Sequence, residues 1–548
     1  MILSTDQKIK LKQLFENKKF SEIEYFVESL GDIKKLPSNI LNIYATSKAL
    51  NQNSKIDDYK LSAYCFEKIY LENNTNREAF YNLIIVSVKA TNFDYLEKHI
   101  TKEYNLNNKD PKILEGLAKM HFFYNNMEKA SFFYEKLLEI NPNFNNIWSS
   151  FLASLNYHNK YDQKKYLEFC NKFDQFLKLE IDEFKPSIKK NKKKKVGFFS
   201  SDFKYHSVSL FLDDVIKKLN REEFELFAIS NLEKTNHDEM TIDLKNNFDE
   251  WYDVNNISDI ESVKLIRSLN LDILIDLSGY TYKNRVSVMR ARCAPKQVLW
   301  LGYNNSLGVK NIDYIIADPN LVKKEEYNFY KEKIIFMPKI WNALPKPINL
   351  PEINLKQKKD DCFVYGSFNN FQKISSETIN TWSKILKDGN AKLILKSSSS
   401  FDEKNLNKSL INKFKKENIE EDKIEILSRK RTYSEHLESY NKINLSLDTF
   451  PYPGVTTSFE SVSMGTPVLT MKGFNFNSRC GESINKNLNL ENLIANNEKD
   501  YIDKALSIKK ENKIDQKYKQ NLRSEALESC LFDTETFAKD FGSLLKSL

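Results

Sequence analysis

The sequence predicts an all-helical repeat region followed by two Rossmann-like α/β domains, and two observations support this prediction. Residues 1–185 carry apolar residues at helical spacing and lack glycine-rich turns. From Val196 onward, short apolar runs alternate with helical stretches, a pattern typical of parallel sheets covered by helices. Because the runs fall into two sets, we expect two separate sheets.

The size and charge of the chain limit the classes of protein to which it can belong. Its 548 residues, of which 41% are hydrophobic, are enough to bury several cores. The 83 Lys and Arg residues exceed the 75 Asp and Glu residues by 8, and this excess is spread along the chain. A nucleic-acid binder usually concentrates its positive charge on one face, so we predict no nucleic-acid partner.

The cysteines and the N-terminus indicate a reducing compartment. The six cysteines lie far apart and do not form the closely spaced pairs of structural zinc sites or redox motifs. The first ten residues lack a basic segment followed by an apolar one, and no stretch approaches the roughly 18 apolar residues of a membrane span. We therefore expect a cytoplasmic protein with free thiols and no membrane span.

The helical region contains an internal repeat. The segment AYCFEKIYLENN from Ala63 aligns with SFFYEKLLEINP from Ser131, 68 residues later, which is twice 34. A period of 34 residues is typical of tetratricopeptide repeats. Residues 111–142 match one copy at Leu114, Leu117, Ala118, Ala130, Tyr134, Leu137 and Pro142. We predict about four or five irregular helix pairs in residues 1–185; a generic helical domain with a chance match is the alternative.

A basic run precedes the first apolar strand. It extends from Lys189 to Lys195, and we assign residues 186–195 to a linker. A solvated linker explains the charge, and contact with an acidic partner is the alternative.

The apolar runs define two α/β domains, which we place at residues 196–350 and 351–548. The first set of predicted strands comprises residues 196–200, 225–230, 272–277, 297–302, 313–318 and 333–338. The second set comprises residues 363–368, 392–396, 423–427, 443–448 and 467–471. Such folds bind ligands at the carboxyl ends of their strands, so we expect functional residues directly after each run.

The clearest candidate site follows the run INLSLD. Gly454 is followed by Thr456 and Thr457, which open a predicted helix containing Glu460. A glycine turn with hydroxyl residues at a helix start offers N–H groups and a positive dipole end to a diphosphate. Glu460 is placed to accept hydrogen bonds from ribose hydroxyls. Taken alone, the same residues also describe an ordinary capped helix.

Two further candidates follow other predicted strands. Lys373 comes after FVYGSF, where a cation would neutralise a leaving diphosphate in place of a metal ion. His206 comes after the first strand, a position suited to acid–base chemistry or to positioning an acceptor. A solvent-facing lysine and a structural histidine are the alternatives.

Together these segments resemble a known family. Over essentially its whole length, repeats included, the chain resembles the O-GlcNAc transferase and SPINDLY glycosyltransferases. The matching segments are VGFFSSDFKYHSVS, DILIDLSGYT, APKQVLWLGY, DYIIAD, VYGSFNNFQKI, LDTFPYPGVTTSFES and MGTPVLTM, in family order and spacing. The resemblance implies a GT-B fold and an inverting transfer of a sugar from a nucleotide sugar to Ser or Thr of a protein presented by the repeats. It implies no metal or other cofactor, and the chain contains no Asp-x-Asp sequence of the kind that usually marks a metal-bridged nucleotide sugar.

The resemblance also implies roles for single residues. The residues implied at the nucleotide-sugar site are Asn370, Lys373, His436, Gly454, Thr456, Thr457 and Glu460. In this set Lys373 and the threonine pair contact the diphosphate, Glu460 binds the ribose, and His436 lies beside the base and sugar. His206 and Lys373 are the implied catalytic residues. On the acceptor side, His206 is joined by Tyr280 and Thr281 at the domain interface.

Some features depart from the family pattern. Asn304, Asn305 and Ser306 follow LGY where many relatives have a Pro-Gly-Thr or Pro-Asn-Thr turn, and this bears on the geometry of the acceptor side. Val455 stands where O-GlcNAc transferases carry a histidine, and HSVS and SFNN are closer to SPINDLY, whose plant members use GDP-fucose. The large insertion of animal O-GlcNAc transferases is missing, as in compact bacterial forms. We expect UDP-GlcNAc as donor; GDP-fucose, or a non-catalytic scaffold with a degenerate transferase half, are the alternatives.

Overall fold

The computed structural model describes residues 3–185, 192–354, 362–396, 403–428, 430 and 432–548. The chain divides into two compact units. The first comprises residues up to Asn141 together with residues 403–406 of the described chain, and the second comprises the rest of the chain from Pro142 to Leu548. Most of the predicted linker, residues 186–191, lies outside the described residues.

The first unit is helical, as predicted. Its helices are α1 (Thr5–Glu16), α2 (Phe20–Glu28), α3 (Ser38–Leu50), α4 (Ile56–Glu72), α5 (Arg77–Ala90), α6 (Glu97–Leu106), α7 (Pro111–Phe123) and α8 (Met127–Ile140). α5 and α7 begin 34 residues apart, at Arg77 and Pro111, which matches the predicted period. Small residues allow close packing, since Ala118 of α7 and Ala130 of α8 are both fully buried.

Two more helices belong to the second unit although we expected them in the helical region. These are α9 (Asn145–Ser154) and α10 (Gln163–Asp174). Arg290 and Asp174 form an ion pair of 3.1 Å that ties α10 to the α/β part of the unit. Trp148 of α9 stacks on Phe173 of α10 with their ring centroids 5.5 Å apart, so the helices pack as a pair.

The first α/β domain has a parallel sheet of seven strands in the order β3-β2-β1-β4-β5-β6-β7. The strands are β1 (Lys194–Ser200), β2 (Phe224–Ser230), β3 (Glu250–Asp253), β4 (Ile273–Asp276), β5 (Lys296–Leu299), β6 (Tyr314–Ala317) and β7 (Lys333–Phe336). Its helices are α11 (Ser207–Lys218), α12 (Glu239–Asn247), α13 (Asp259–Ser268) and α14 (Val286–Arg290). The central strands are apolar and buried because helices cover both faces of such a sheet.

The second α/β domain has a parallel sheet of six strands in the order β10-β9-β8-β11-β12-β13. The strands are β8 (Phe363–Ser367), β9 (Ala391–Lys396), β10 (Ile424–Leu427), β11 (Leu445–Leu447), β12 (Val468–Met471) and β13 (Ile494–Ala495). The helices are α15 (Ser376–Lys387), α16 (Glu403–Lys416), α17 (Tyr433–Glu438), α18 (Thr456–Ser463), α19 (Cys480–Lys486), α20 (Glu498–Glu511), α21 (Gln516–Glu528) and α22 (Thr534–Ser547). Across the described part of the chain, no helix is long and apolar enough to span a bilayer.

The strand orders confirm two Rossmann-like domains and locate their ligand crevices. In each sheet the chain builds outward from one strand and then crosses to its other side, between β1 and β4 in the first sheet and between β8 and β11 in the second. Open parallel sheets bind ligands at such switch points, outside the carboxyl ends of the strands. The segments after β1, β4, β8 and β11 are therefore the candidate site.

The C-terminal helix packs on the first domain, although we assigned its sequence to the second. The ring of Phe541 in α22 lies 4.4 Å from the ring of Trp300, which follows β5. Lys194 Nζ donates to the carbonyl of Leu545 at 3.0 Å. The end of the chain therefore fastens one α/β domain to the other.

Candidate functional site

A buried aspartate holds the turn between β11 and α18. Asp448 Oδ1 accepts from the backbone N–H of Gly454 at 2.7 Å and of Thr449 at 3.0 Å, and Oδ2 accepts from Thr470 Oγ1 at 2.9 Å. Burial disfavours the charged carboxylate and raises the pKa of Asp448 to about 6. The turn that precedes α18 is therefore tied at several points to one side chain.

An amide joins the two strands at the switch point of the second sheet. Asn369 follows β8 and is 5% exposed. Its Nδ2 donates to Asp448 Oδ1 at 3.1 Å, and its Oδ1 accepts from Thr457 Oγ1 at 2.7 Å. We did not single out Asn369 from the sequence; its neighbour Asn370, which we did, is exposed and accepts from the N–H of Gln372 at 3.0 Å. Their shared place directly after a strand is the only sequence signal that points to both.

Gly454 is needed because the atoms around it are close. A Cβ at this position would lie 2.4 Å from Thr457 Oγ1 and 2.7 Å from Asn369 Oδ1. A side chain there would push apart the hydroxyl and amide that organise the start of α18.

Lys373 lies beside this turn, in the segment after β8. Its Nζ donates to the carbonyl of Pro453 at 2.8 Å and lies 4.1 Å from the ring centroid of Tyr452. Burial lowers the pKa of Lys373 to about 8, and the neighbouring Asp448 opposes that shift. The structure thus places a cation next to the turn that leads into α18.

The start of α18 offers N–H groups to a ligand. Thr456 and Thr457 are its first two residues, and both side chains are partly exposed. Val455 occupies the capping position and has no hydrogen-bonding side chain. Uncapped first-turn N–H groups and the helix dipole together favour an anion at this end.

Glu460 and His436 contact each other directly. His436 Nε2 lies 2.8 Å from Glu460 Oε2, and the hydroxyl of Tyr440 donates to the same oxygen at 3.3 Å. Lys396, at the end of β9, contacts His436 Nδ1 from the other side. Glu460 is 5% exposed, so its carboxylate is buried among polar partners. Tyr440 and Lys396 were not among our predicted residues.

His206 caps α11 in the first domain. Its Nδ1 accepts from the N–H of Val208 at 3.3 Å and lies 3.9 Å from Asp202 Oδ2, while the side chain is 44% exposed. Because Nδ1 accepts, the neutral ring carries its proton on Nε2. In this arrangement Nε2 is a hydrogen-bond donor, so action as a base requires His206 to leave the cap.

Tyr280 lies in the core, which differs from the acceptor-side role that we expected. It is 2% exposed, and its hydroxyl donates to the carbonyl of Leu307. Its ring packs 5.8 Å from Phe173 and 5.5 Å from Tyr303. Thr281 is partly exposed, and its hydroxyl donates to the carbonyl of Ser278 at 2.8 Å. The side chain of Tyr280 points inward because burial of its aromatic ring is favourable and its hydroxyl finds a hydrogen-bond partner in the core.

The unusual turn after β5 is part of a buried polar network. Asn305 is 1% exposed, accepts from Gln163 Nε2 at 2.6 Å and donates to Asn156 Oδ1 at 2.9 Å. Ser306 donates to Glu332 Oε2 at 2.6 Å. These contacts give the departure from the family pattern a structural reason, since the turn is paired with polar side chains of the α9–α10 region.

The two domains meet close to these residues. Phe211 of α11 and Phe459 of α18 form an edge-to-face pair with centroids 5.2 Å apart. Arg479 of the second domain makes bonds of 2.5 and 2.6 Å to the carboxylate of Glu326 in the first. The helices that begin after His206 and at Thr456 are therefore in contact within one unit.

Comparisons with known proteins point to one family. The model of glycosyl transferase family 41 matches residues 150–343 and 342–541. A protein of Oryza sativa subsp. japonica named Probable UDP-N-acetylglucosamine-peptide N-acetylglucosaminyltransferase SPINDLY is 28% identical over 424 residues, covering 76% of this chain and 45% of the rice protein. The Arabidopsis thaliana protein with the corresponding name SEC is 27% identical over 361 residues, covering 64% of this chain and 36% of that protein.

A solved structure shows the same fold. A mutant of the Thermobaculum terrenum O-GlcNAc transferase superposes with a TM-score of 0.76 at 23% identity, covering 93% of this chain and 96% of that chain. The likeness confirms the GT-B fold that we expected. The chain spans about half the length of the curated relatives it matches. Because the family model covers most of its length, the chain belongs to glycosyl transferase family 41.

Proposed function

We propose that this protein transfers a sugar from a nucleotide sugar to Ser or Thr side chains of proteins, with inversion at the anomeric carbon. The position of Lys373 carries the proposal, because its Nζ binds the carbonyl of Pro453 beside the N-terminus of α18 at the switch point of the second sheet. A cation and a helix start at one place suit the diphosphate of a nucleotide sugar.

In the proposed reaction the acceptor hydroxyl attacks the anomeric carbon on the face opposite the diphosphate. The new bond joins the hydroxyl oxygen to that carbon, the bond to the diphosphate oxygen breaks, and the hydroxyl proton is taken up by the departing diphosphate. Negative charge then grows on the leaving diphosphate, where Lys373 and the first-turn N–H groups of α18 stabilise it. His206, held as a donor at Nε2, would orient the acceptor.

We further propose that the reaction needs no metal ion. Lys373 supplies the positive charge that a metal would bring to the diphosphate, and its partly buried setting strengthens that interaction. The assignments of Asn370, Gly454, Thr456 and Thr457 to the diphosphate, and of Glu460 and His436 to the nucleoside, belong to the same proposal.

UDP-GlcNAc is the donor that we propose first. The names of the rice and Arabidopsis relatives include UDP-N-acetylglucosamine as donor and peptide as acceptor. Val455 leaves the capping position of α18 without the histidine of O-GlcNAc transferases, and this feature favours GDP-fucose as the second candidate. The helical unit is the proposed binding surface for protein acceptors, because stacked helix pairs form extended surfaces.

A transfer assay tests the proposal. Purified protein is incubated in EDTA with sugar-labelled UDP-GlcNAc or GDP-fucose and a mixture of Ser- and Thr-containing proteins, and labelled protein is measured. We expect label from one of the donors, released by β-elimination as expected for an O-linked sugar. Nucleotide binding without any transfer would instead support a non-catalytic scaffold, and activity only after a divalent metal is added would contradict the metal-free reaction.

A further inference from the structure

Lys396 is a buried cation that none of the roles above uses. It is the last residue of β9 and is 4% exposed. Its Nζ contacts His436 Nδ1 and lies 5.8 Å from the ring centroid of Phe368. Burial lowers the pKa of Lys396 to about 8, so at neutral pH this side chain is charged in most of the protein molecules. A buried ammonium in such a place needs a polar partner, and among the described residues it is bonded to His436.

The ammonium determines how His436 bonds. A lysine ammonium has only donors, so Nδ1 of His436 must accept. The neutral imidazole then carries its proton on Nε2, which lies 2.8 Å from Glu460 Oε2 and donates to it. The direction of both hydrogen bonds, from Lys396 to His436 and from His436 to Glu460, therefore follows from the charge on the lysine.

Glu460 is oriented by two donors. His436 Nε2 and the Tyr440 hydroxyl both donate to Oε2, and neither of these two hydrogen bonds involves Oε1. The single proton of the Tyr440 hydroxyl is shared between Glu460 Oε2 at 3.3 Å and the carbonyl of Thr457, in the first turn of α18, at 3.1 Å. The carboxylate is thus held relative to the helix start that faces the diphosphate.

We propose that Lys396 is a positioning residue of the donor site, which acts through His436 to hold the Glu460 carboxylate in the orientation that binds the ribose hydroxyls of the nucleotide. The inference rests on the proposed function, because it takes Glu460 as the ribose-binding acid. Direct contact of Lys396 with the diphosphate is the competing role.

Binding measurements separate these two roles. UDP, GDP and inorganic pyrophosphate are titrated by calorimetry into the unmodified protein, Lys396→Met and the control Lys392→Met, which changes an exposed lysine on the same strand. We expect Lys396→Met to weaken the nucleotide that binds by about tenfold and to change pyrophosphate binding less than about twofold, because pyrophosphate has no ribose. Lys392→Met should change neither. Equal weakening of nucleotide and pyrophosphate, or no weakening of either, overturns the proposal.

A double-mutant cycle tests the route through His436. In a His436→Ala background, Lys396→Met should change nucleotide affinity by less than about twofold, since the intermediate ring is already gone. The full tenfold effect in that background overturns the proposal.

A spectroscopic measurement covers the case in which Lys396→Met does not fold. The unmodified protein is labelled with ¹⁵N-histidine, and the His436 signals are identified by their loss in His436→Ala. We expect an unprotonated Nδ1 and a protonated Nε2; a protonated Nδ1 overturns the proposal. This measurement needs no nucleotide, so it tests the effect of Lys396 on His436 by itself. If the protein binds neither nucleotide nor pyrophosphate, the proposed function is contradicted, but the result for His436 remains valid.

Discussion

The carboxyl-end edges of the two sheets are built differently. After β8 and β11, buried side chains bond to one another, so that Asn369, Asp448 and Thr457 form one continuous network. After β1 and β4, Tyr280 is buried, but His206 and Tyr282 are open to solvent, the latter 84% exposed. A prebuilt network suits a ligand whose shape never changes, because the side chains of the site lose no further conformational entropy when the ligand binds. An open edge suits partners that share only a hydroxyl and vary around it.

The largest expected effect is on the networked side. Lys373→Ala should lower turnover at least 100-fold, because removing one such electrostatic contact to a developing charge costs about 3 kcal/mol. Initial rates at saturating donor measure it. Lys387→Ala, at an exposed position on the helix that follows, is the matched control and should keep its activity. A Lys373→Ala variant with normal turnover would remove the basis for placing the diphosphate here.

A smaller loss is expected at the turn itself. Gly454→Ala places a methyl group within 2.7 Å of Thr457 Oγ1 and Asn369 Oδ1. We expect nucleotide affinity to fall by about tenfold, as the network must shift to admit it. Calorimetric titration of the nucleotide measures this, with Gly542→Ala in α22, where the nearest atom to the added methyl group lies 3.3 Å away, as a less crowded comparison. Unchanged affinity would mean that the network does not set the binding geometry.

The networked side should also respond to pH. The pKa of Lys373 in the free protein is about 8, lowered by burial, and a diphosphate binds the charged form. Affinity should therefore be constant below pH 7 and fall by up to about tenfold per pH unit above pH 8, until the pKa of the complex is reached. Titrations from pH 6.5 to 9.5 measure the profile. Lys373→Arg, which stays charged, should remove most of this dependence and leave the part due to Lys396, whose pKa is also about 8. An unchanged profile would assign the titration to another group.

The smallest effect is expected for Tyr280 on the open side. Tyr280→Phe removes a buried hydroxyl that donates to the carbonyl of Leu307, and it should lower the free energy of unfolding by about 1 kcal/mol. Sugar transfer should be unchanged, because the ring lies in the core. Urea unfolding and the transfer assay check the two statements, and a large loss of transfer without loss of stability would return Tyr280 to the acceptor site.

Much of the fold could be predicted from the sequence because apolar runs mark buried strands. The strands that we missed are β3, whose segment EWYD is short and charged, and β13, which has only two residues. Edge strands of this kind bury little apolar surface, so their pattern is weak.

The site was predictable only where chemistry follows a strand directly. Lys373 and Gly454 lie in the segments that lead from a strand to the next helix, the threonine pair begins that helix, and the structure brings them together. Asn369 follows β8 and Lys396 ends β9, but their importance comes from contacts with residues 79 and 40 positions away. Tyr280 shows the converse, since its place after β4 did not reveal that its side chain turns into the core.

The central claim is that the second domain holds a prebuilt diphosphate site around Lys373. Calorimetric titration of UDP and GDP in EDTA, without acceptor, tests it most directly, using the unmodified protein, Lys373→Ala and Lys387→Ala. The account predicts that one nucleotide binds the unmodified protein and the Lys387→Ala control equally well, and that Lys373→Ala binds it at least about tenfold more weakly. Equal binding to all three proteins, or no binding to any, would contradict it.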